Sequence, residues 1–357
     1  MDALKSVFAG RTVLVTGDTG FKGAWLSLWL HLLGAKVVGL SLPAERSEDL
    51  FPRLGLGERI LHQDGDIRDL DTVLSVMRKF EPEFCFHLAA QSLVRRSYLE
   101  PKLTFDTNVG GSVNVLEAIR HTPSVRVAIY VTSDKCYRNR EWVFGYREED
   151  ELGGRDPYSA SKAAAELLFS SYLDSFFGQR GELGIGSVRA GNVIGGGDWS
   201  EDRIVPDCIR ALRADAPIRL RNPGATRPWQ HVLEPLGGYL LLATKLFSDS
   251  MAYRGAWNFG PRVESGRSVE ALVRAIVGQW GSGSIEVAPP TAANPHEARL
   301  LHLSCDKSYH SLGWQPRWNF ERTVTETVDW YRRINAGESA WDVTSEQIHA
   351  YMRDLND

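Results

Sequence analysis

Residues 13–26 read VLVTGDTGFKGAWL. An apolar strand pattern runs into glycines at positions 17, 20 and 23, and an apolar helical pattern follows at once. Few arrangements tolerate three glycines at this spacing. They permit a tight turn and let bare backbone approach whatever lies opposite. A helix beginning there offers unpaired amides to an anion. Strand, glycines and helix in this order form a fingerprint for a dinucleotide pyrophosphate. Gly17, Gly20, Phe21, Lys22 and Gly23 are therefore candidate cofactor-binding residues.

The rest of the first half keeps the alternation that this turn begins. Apolar strands are expected over 12–15, 36–40, 84–88, 126–131 and 185–189, and helices over 23–33, 69–80, 109–120 and 158–175. Strand and helix alternating with short links imply an α/β fold, a Rossmann-type doubly wound parallel sheet. After about residue 191 Gly, Pro, Trp and Arg become frequent, as in GNVIGGGDWSEDRIVP. We expect residues 1–190 to form the cofactor-binding domain and 191–357 a smaller α/β substrate-binding domain, with part of 229–260 able to rejoin the first sheet.

Composition narrows the partners. With 41 basic and 45 acidic residues the formal charge is −4, which gives no electrostatic reason to expect nucleic acid or an anionic membrane. No apolar run is long enough for a membrane span. Cys85, Cys136, Cys208 and Cys305 lie far apart, without metal or redox spacing. Reduced cytoplasmic thiols and the absence of a signal peptide are the expectation. Eleven tryptophans hint at a ligand surface, although packing is the simpler role for most.

Other strand ends add to the cofactor site. The second strand ends near Ser41 without the acid that would meet an adenosine ribose; Glu45 and Arg46 follow, and NAD and NADP both stay open. Asp66, followed by Ile67, suits either an adenine amino group or the N-cap of the next helix. Leu88, Ala89 and Ala90 are small or apolar and let a cofactor pass close to the backbone.

Two further patterns carry chemistry. VTSDKCYRNREW places Thr132, Ser133, Asp134 and Lys135 at the tip of a strand: a hydroxyl, an acid and an amine side by side. DPYSASKAAAE places Tyr158 and Lys162 four residues apart, on one helix face. A neighbouring ammonium should pull the tyrosine below its usual pKa of about 10 and make it a general base for a sugar hydroxyl.

Together these motifs resemble the extended short-chain dehydrogenase/reductase superfamily. Within it, GDTGFKGAWLSLWL, VTSDKCYRNREWVFGYREED, GNVIGGGDWSEDRIVPD and RPWQHVLEPLGGYL are similar to the nucleotide-sugar 4,6-dehydratases, above all those acting on CDP-glucose. The resemblance implies NAD as cofactor and a nucleotide-sugar substrate. It implies that Ser133 polarises the C4 oxygen, Tyr158 is the base with Lys162 as its partner, and Asp134 protonates the departing C6 hydroxyl. Lys135 stands where related dehydratases carry a glutamate; as C5 base it would have to be neutral, and an electrostatic role is the alternative. Asn192, Arg203, Arg221 and Arg227 fall at substrate positions, as do His296 and Arg299. Asn192 and the arginines suit a diphosphate. The family further implies a homodimer through a four-helix bundle built from helices 109–120 and 158–175, and a place in dideoxysugar synthesis for lipopolysaccharide O-antigen. A nucleotide-sugar 4-epimerase is the alternative on this fold; it needs the Tyr/Lys pair but no C6 acid.

Overall fold

The computed structural model describes residues 2–262, 264, 266–287 and 300–355. Its centre is a parallel sheet of seven strands. Six are numbered here in chain order: β1 (Thr12–Thr16), β2 (Lys36–Ser41), β3 (Leu61–Asp64), β4 (Phe84–His87), β5 (Val127–Val131) and β6 (Gly184–Ala190); the seventh is Gly255–Phe259. From one edge to the other the order is Gly255–Phe259, β6, β5, β4, β1, β2, β3. The chain moves outward from β1 to β3, crosses back to β4 and then moves outward the other way. The reversal between β1 and β4 opens a crevice at the carboxyl ends of the strands.

The strands are apolar runs because both faces of the sheet are covered. Every residue of β5 and β6 is buried. Val13 and Val15 point into one core cluster, and Leu14 points into the other. The Leu14 face is closed by helices Leu70–Phe80, Ser112–Arg120 and Pro157–Tyr172, through residues such as Met77, Ile119 and Phe169. The opposite face is closed by helices Phe21–Leu32, Leu233–Ser248, Phe320–Asn335 and Ala340–Asp354. Trp25, Trp29, Trp257 and Trp330 are fully buried in that layer, so these tryptophans are packing, not ligand surface.

After β6 the chain leaves the sheet for a region of three two-stranded pieces, two of which (Thr226–Pro228 with Gly266–Ser268, and Ile218–Leu220 with Ile285–Val287) are completed only by strands beyond residue 260. It returns at Gly255–Phe259, which pairs with β6 from Gly255 opposite Gly186 to Phe259 opposite Ala190. The helix expected over 109–120 is part of a longer helical run. Helix Pro101–Phe105 has a proline in its first turn, and a π-turn, Asp106–Gly111, joins it to Ser112–Arg120. A π-turn inserts one residue per turn and often marks a functional position.

Glycine at the first turn is a steric requirement. A methyl group on Gly23 would lie 1.9 Å from the Gly17 carbonyl oxygen. Gly23→Ala is expected to destabilise the protein by about 3 kcal/mol or more in urea unfolding. Gly110→Ala, where an added methyl meets nothing within 4 Å, should leave stability unchanged or slightly raised.

Candidate active site

The cofactor end of the crevice is made by backbone. Gly17 has φ +78, and a methyl group there would lie 2.7 Å from the Ala89 amide nitrogen. Gly20 is the extended N-cap of helix Phe21–Leu32 and makes no side-chain cap bond. The first amides of that helix therefore stay available to an anion. This glycine cradle fits a dinucleotide pyrophosphate.

The glycine loop buries an acid of its own against β2. Asp18 is fully buried. Ser41 Oγ donates to Asp18 Oδ1 at 2.9 Å, and His62 Nδ1 lies 2.7 Å from Oδ2. The hydrogen bond to Asp18 is the main cause that raises the His62 pKa above its ordinary value. A methyl group on Gly39 would lie 1.9 Å from Asp18 Oδ2, so only glycine at 39 lets the carboxylate lie on β2. Asp66 takes a different role from a cap. Arg68 donates to it from Nε at 2.8 Å and from its backbone at 2.9 Å, which holds the carboxyl below its usual range. Asp69 caps the next helix, accepting from the Asp71 amide at 3.1 Å.

The residues expected to carry chemistry meet where β5 ends beside the start of helix Pro157–Tyr172. Ser133 caps a single 3-10 turn, Asp134–Cys136, and accepts from the Lys135 amide at 3.3 Å. This turn presents three adjacent side chains to one crevice. Ser133 Oγ donates to Asp134 Oδ1 at 3.0 Å. Asp134 Oδ2 is buried with no hydrogen-bond partner among the described residues. Asp134 and Lys135 form no ion pair among the described residues. Asp156 starts the neighbouring helix, accepting from the Ser159 amide at 2.9 Å, with Pro157 in the first turn. That start places Tyr158 and Lys162 against the β5 tip, where Lys162 Nζ donates to the Val131 carbonyl at 3.5 Å.

Burial dominates the titration of these groups. It lowers Lys162 to about 8, with Glu166 opposing. Burial and the charge of Arg203 lower Lys22 to about 7. Tyr158 moves against the sequence expectation. Burial raises it to about 12, and the hydrogen bond with Ser133 only partly opposes this. Helical spacing alone predicted a depression by Lys162; the groups that lower the phenol are instead Ser133 and Arg203, and withdrawal from water outweighs both.

The remaining expected residues line the same cavity, of about 1160 Å³: Gly17, Gly20, Phe21, Lys22, Gly23, Asp66 and Ile67; Leu88, Ala89, Ala90 and Thr132; and Asn192, Arg203, Arg221 and Arg227. Arg203 donates to Asp198 Oδ2 at 3.0 Å and to Ser92 Oγ at 3.2 Å. Its charge also acts on Tyr158 and Lys22, which places it by the reaction centre. Arg221 pairs with Asp202 at 3.2 Å, and Arg95 meets the same carboxylate oxygen at 3.3 Å. Arg227 Nη1 donates to the Thr226 carbonyl at 2.9 Å. His296 and Arg299 lie outside the described residues. Sequence reasoning missed Asp18, Arg95 and Asn108. Asn108, on the π-turn, donates to the Gln91 carbonyl and to Ser161 Oγ, both at 2.9 Å. Its polarity within a helical stretch was the available signal.

The sequence profile described as GDP-mannose 4,6 dehydratase matches residues 14–327. The chain belongs to the GDP-mannose 4,6-dehydratase family. Relatives of this family member include a CDP-glucose 4,6-dehydratase of Salmonella typhimurium, 44% identical over 352 residues and 98% of each chain. A dTDP-glucose 4,6-dehydratase of Streptomyces antibioticus is 30% identical over 270 residues, 75% of each chain. Among solved structures, a UDP-glucose 4-epimerase of Thermus thermophilus in complex with NAD is 26% identical, with a TM-score of 0.76 over 90% of this chain and 99% of that one.

The two depressed lysines make stability depend on pH. In the folded state Lys22 and Lys162 lose their protons near 7 and 8, against an ordinary value of 10.5. Between those limits the unfolded chain binds more protons, so stability rises with pH. The urea midpoint of the ligand-free protein is expected to increase from pH 7 to pH 9. That increase should shrink in Lys22→Met/Lys162→Met.

Proposed function

We propose that this protein is a hydro-lyase that converts CDP-D-glucose to CDP-4-keto-6-deoxy-D-glucose with NAD as resident cofactor. The observation that carries the reading is the meeting of the 133–135 triplet with Tyr158 and Lys162 in one cavity. An epimerase has no use for a buried acid beside the base. The choice of CDP-glucose rests on the 44% identical relative.

The residues have distinct tasks. The glycine cradle at Gly17, Gly20 and Gly23 and the amides of Phe21 and Lys22 would hold the NAD pyrophosphate. Bound NAD supplies the hydride acceptor at C4 and the hydride donor at C6. Tyr158 takes the O4 proton as its phenolate, a form that burial opposes and that the positive charges of Lys162 and of bound oxidised NAD would favour; Ser133 donates a hydrogen bond to the developing ketone. That ketone makes the C5 proton acidic, and Lys135 removes it. Asp134 delivers a proton to the C6 hydroxyl, which departs as water. A proton returns to C5, so two protons leave the sugar, one leaves with water and one returns. There is no net redox change. Asn192, Arg221 and Arg227 would meet the diphosphate, and Arg203 would act nearer the hexose. In this reading residues 1–190 carry the cofactor and 191–357 most of the sugar-nucleotide contacts.

Assembly and location follow the same reading. The helices at 101–120 and 157–177 leave Phe105, Leu167 and Phe176 exposed at 39%, 61% and 46%, which supports a homodimer joined through these helices. Among the described residues no helix is long and apolar enough to cross a membrane, and we place the enzyme in the cytoplasm, in dideoxysugar synthesis for surface polysaccharide.

Incubation with NAD and CDP-glucose in heavy water, followed by NMR, should yield a C6 methyl group and deuterium at C5. Unchanged or C4-inverted sugar would sink the reading. Asp134→Asn should still reduce the cofactor, seen as near-ultraviolet absorbance, while methyl formation falls by about 100-fold or more. Leu167→Glu should convert the dimer to monomer in light scattering.

A further inference from the structure

One buried ion pair grips the catalytic turn from both ends. Glu166, on helix Pro157–Tyr172, and Arg189, on β6, have side-chain exposures of 1% and 4%, and their charged atoms are 2.7 Å apart. Thr132, which precedes the turn, donates its hydroxyl to Glu166 Oε1. Tyr137, which follows it, accepts at its hydroxyl from Arg189 Nη1 at 2.7 Å. Glu166 also lies four residues beyond Lys162, one helical turn away on the same face.

Stability alone gives little reason for such a pair. Desolvating two charges removes most of what their attraction supplies, and apolar residues of similar volume often serve as well. The organisation around this pair is specific. Its hydrogen bonds reach the two flanks of the turn that carries the acid and the base, and they fix β5 against β6 and the Tyr158 helix. We propose that Glu166 and Arg189 are positioning residues of the reaction centre: the pair pins both flanks of the 133–135 turn, and Glu166 keeps an anion one helical turn from Lys162. The pinning half rests on the dehydratase reading; the charge half does not.

The groups around Lys162 leave this task to Glu166. Cys136, in the turn after β5, is held as a thiol by burial. His87 on β4 is pushed down to about 3 by burial and then by Lys162, so it is neutral. Lys22, from the glycine-loop helix, adds positive charge. Of the groups acting on Lys162, the carboxylate of Glu166 is the largest that opposes its loss of a proton. Arg189 faces that carboxylate from the side of β6.

The test reads Lys162 directly in the ligand-free protein. Trace acetylation across a pH series, quantified by mass spectrometry of the Lys162 peptide, reports the fraction of neutral amine. In Glu166→Gln the midpoint should move down by about one pH unit, so that Lys162 labels several-fold faster at pH 7, while exposed Lys102 is unchanged. General loosening would rehydrate Lys162 and move its midpoint up. An unchanged or raised midpoint overturns the charge role. If Glu166→Gln does not fold, Glu166→Gln/Arg189→Met removes both charges together and must still shift the midpoint down, by less than the single change, because a cation is lost with the anion. With CDP-glucose and NAD, the folded variant should lose about tenfold or more in kcat with KM unchanged; wild-type kcat overturns the pinning role. Absence of turnover by the wild-type protein would instead remove the dehydratase reading and leave the labelling result standing.

Discussion

At the carboxyl end of the sheet the backbone of Gly17 lies against the backbone of Ala89, with no room for a methyl group between them. The crevice depends on this contact. It joins the end of β1 to the end of β4, the two strands between which the chain changes direction. A side chain at either glycine of the first turn would push the Phe21–Leu32 helix away from the sheet, and Lys22 with it. The cavity would lose its floor, and the anion-binding amides would point elsewhere. The active centre thus begins as a steric fact about backbone packing, and the titratable groups are set around it.

Around that floor the protein gathers charge at unusual depth. Lys22, Lys162, Glu166, Arg189 and Asp134 converge on a few residues of backbone, and burial decides how the lysines titrate. Hydrogen bonds fix the ends of the elements that carry these groups. The Ser133 cap, the Asp156 cap and the Asn108 bridge to Ser161 each fix one element at its end, where a small rotation would displace a reacting group.

Much of this was legible in the sequence because it is local. The glycine spacing, the triplet at a strand tip and the Tyr158/Lys162 pair each lie within one turn or one loop, and local spacing dictates which groups share a face. What required the fold depends on distant parts of the chain. Asp18 matters through His62, 44 residues away, and Arg95 through Asp202. No spacing rule joins them. The π-turn at Asp106–Gly111 was invisible because it is a departure from the very period used to read helices. The direction of the Tyr158 shift failed for a related reason: spacing reports neighbours but not burial, and here burial is the larger effect.

The unpartnered oxygen of Asp134 has a consequence for selectivity. A buried polar atom without a hydrogen bond holds the protein at higher free energy than it would otherwise have. A ligand that brings a hydroxyl to that point relieves the strain, and one that brings only carbon, or nothing, leaves it in place. A hexose carries such a hydroxyl at its sixth carbon, whereas a pentose ring has no sixth carbon at all. The same nucleotide linked to either sugar could occupy the diphosphate and base positions equally well. Discrimination between six carbons and five would then arise from one oxygen atom of the protein that has no hydrogen-bond partner among the described residues.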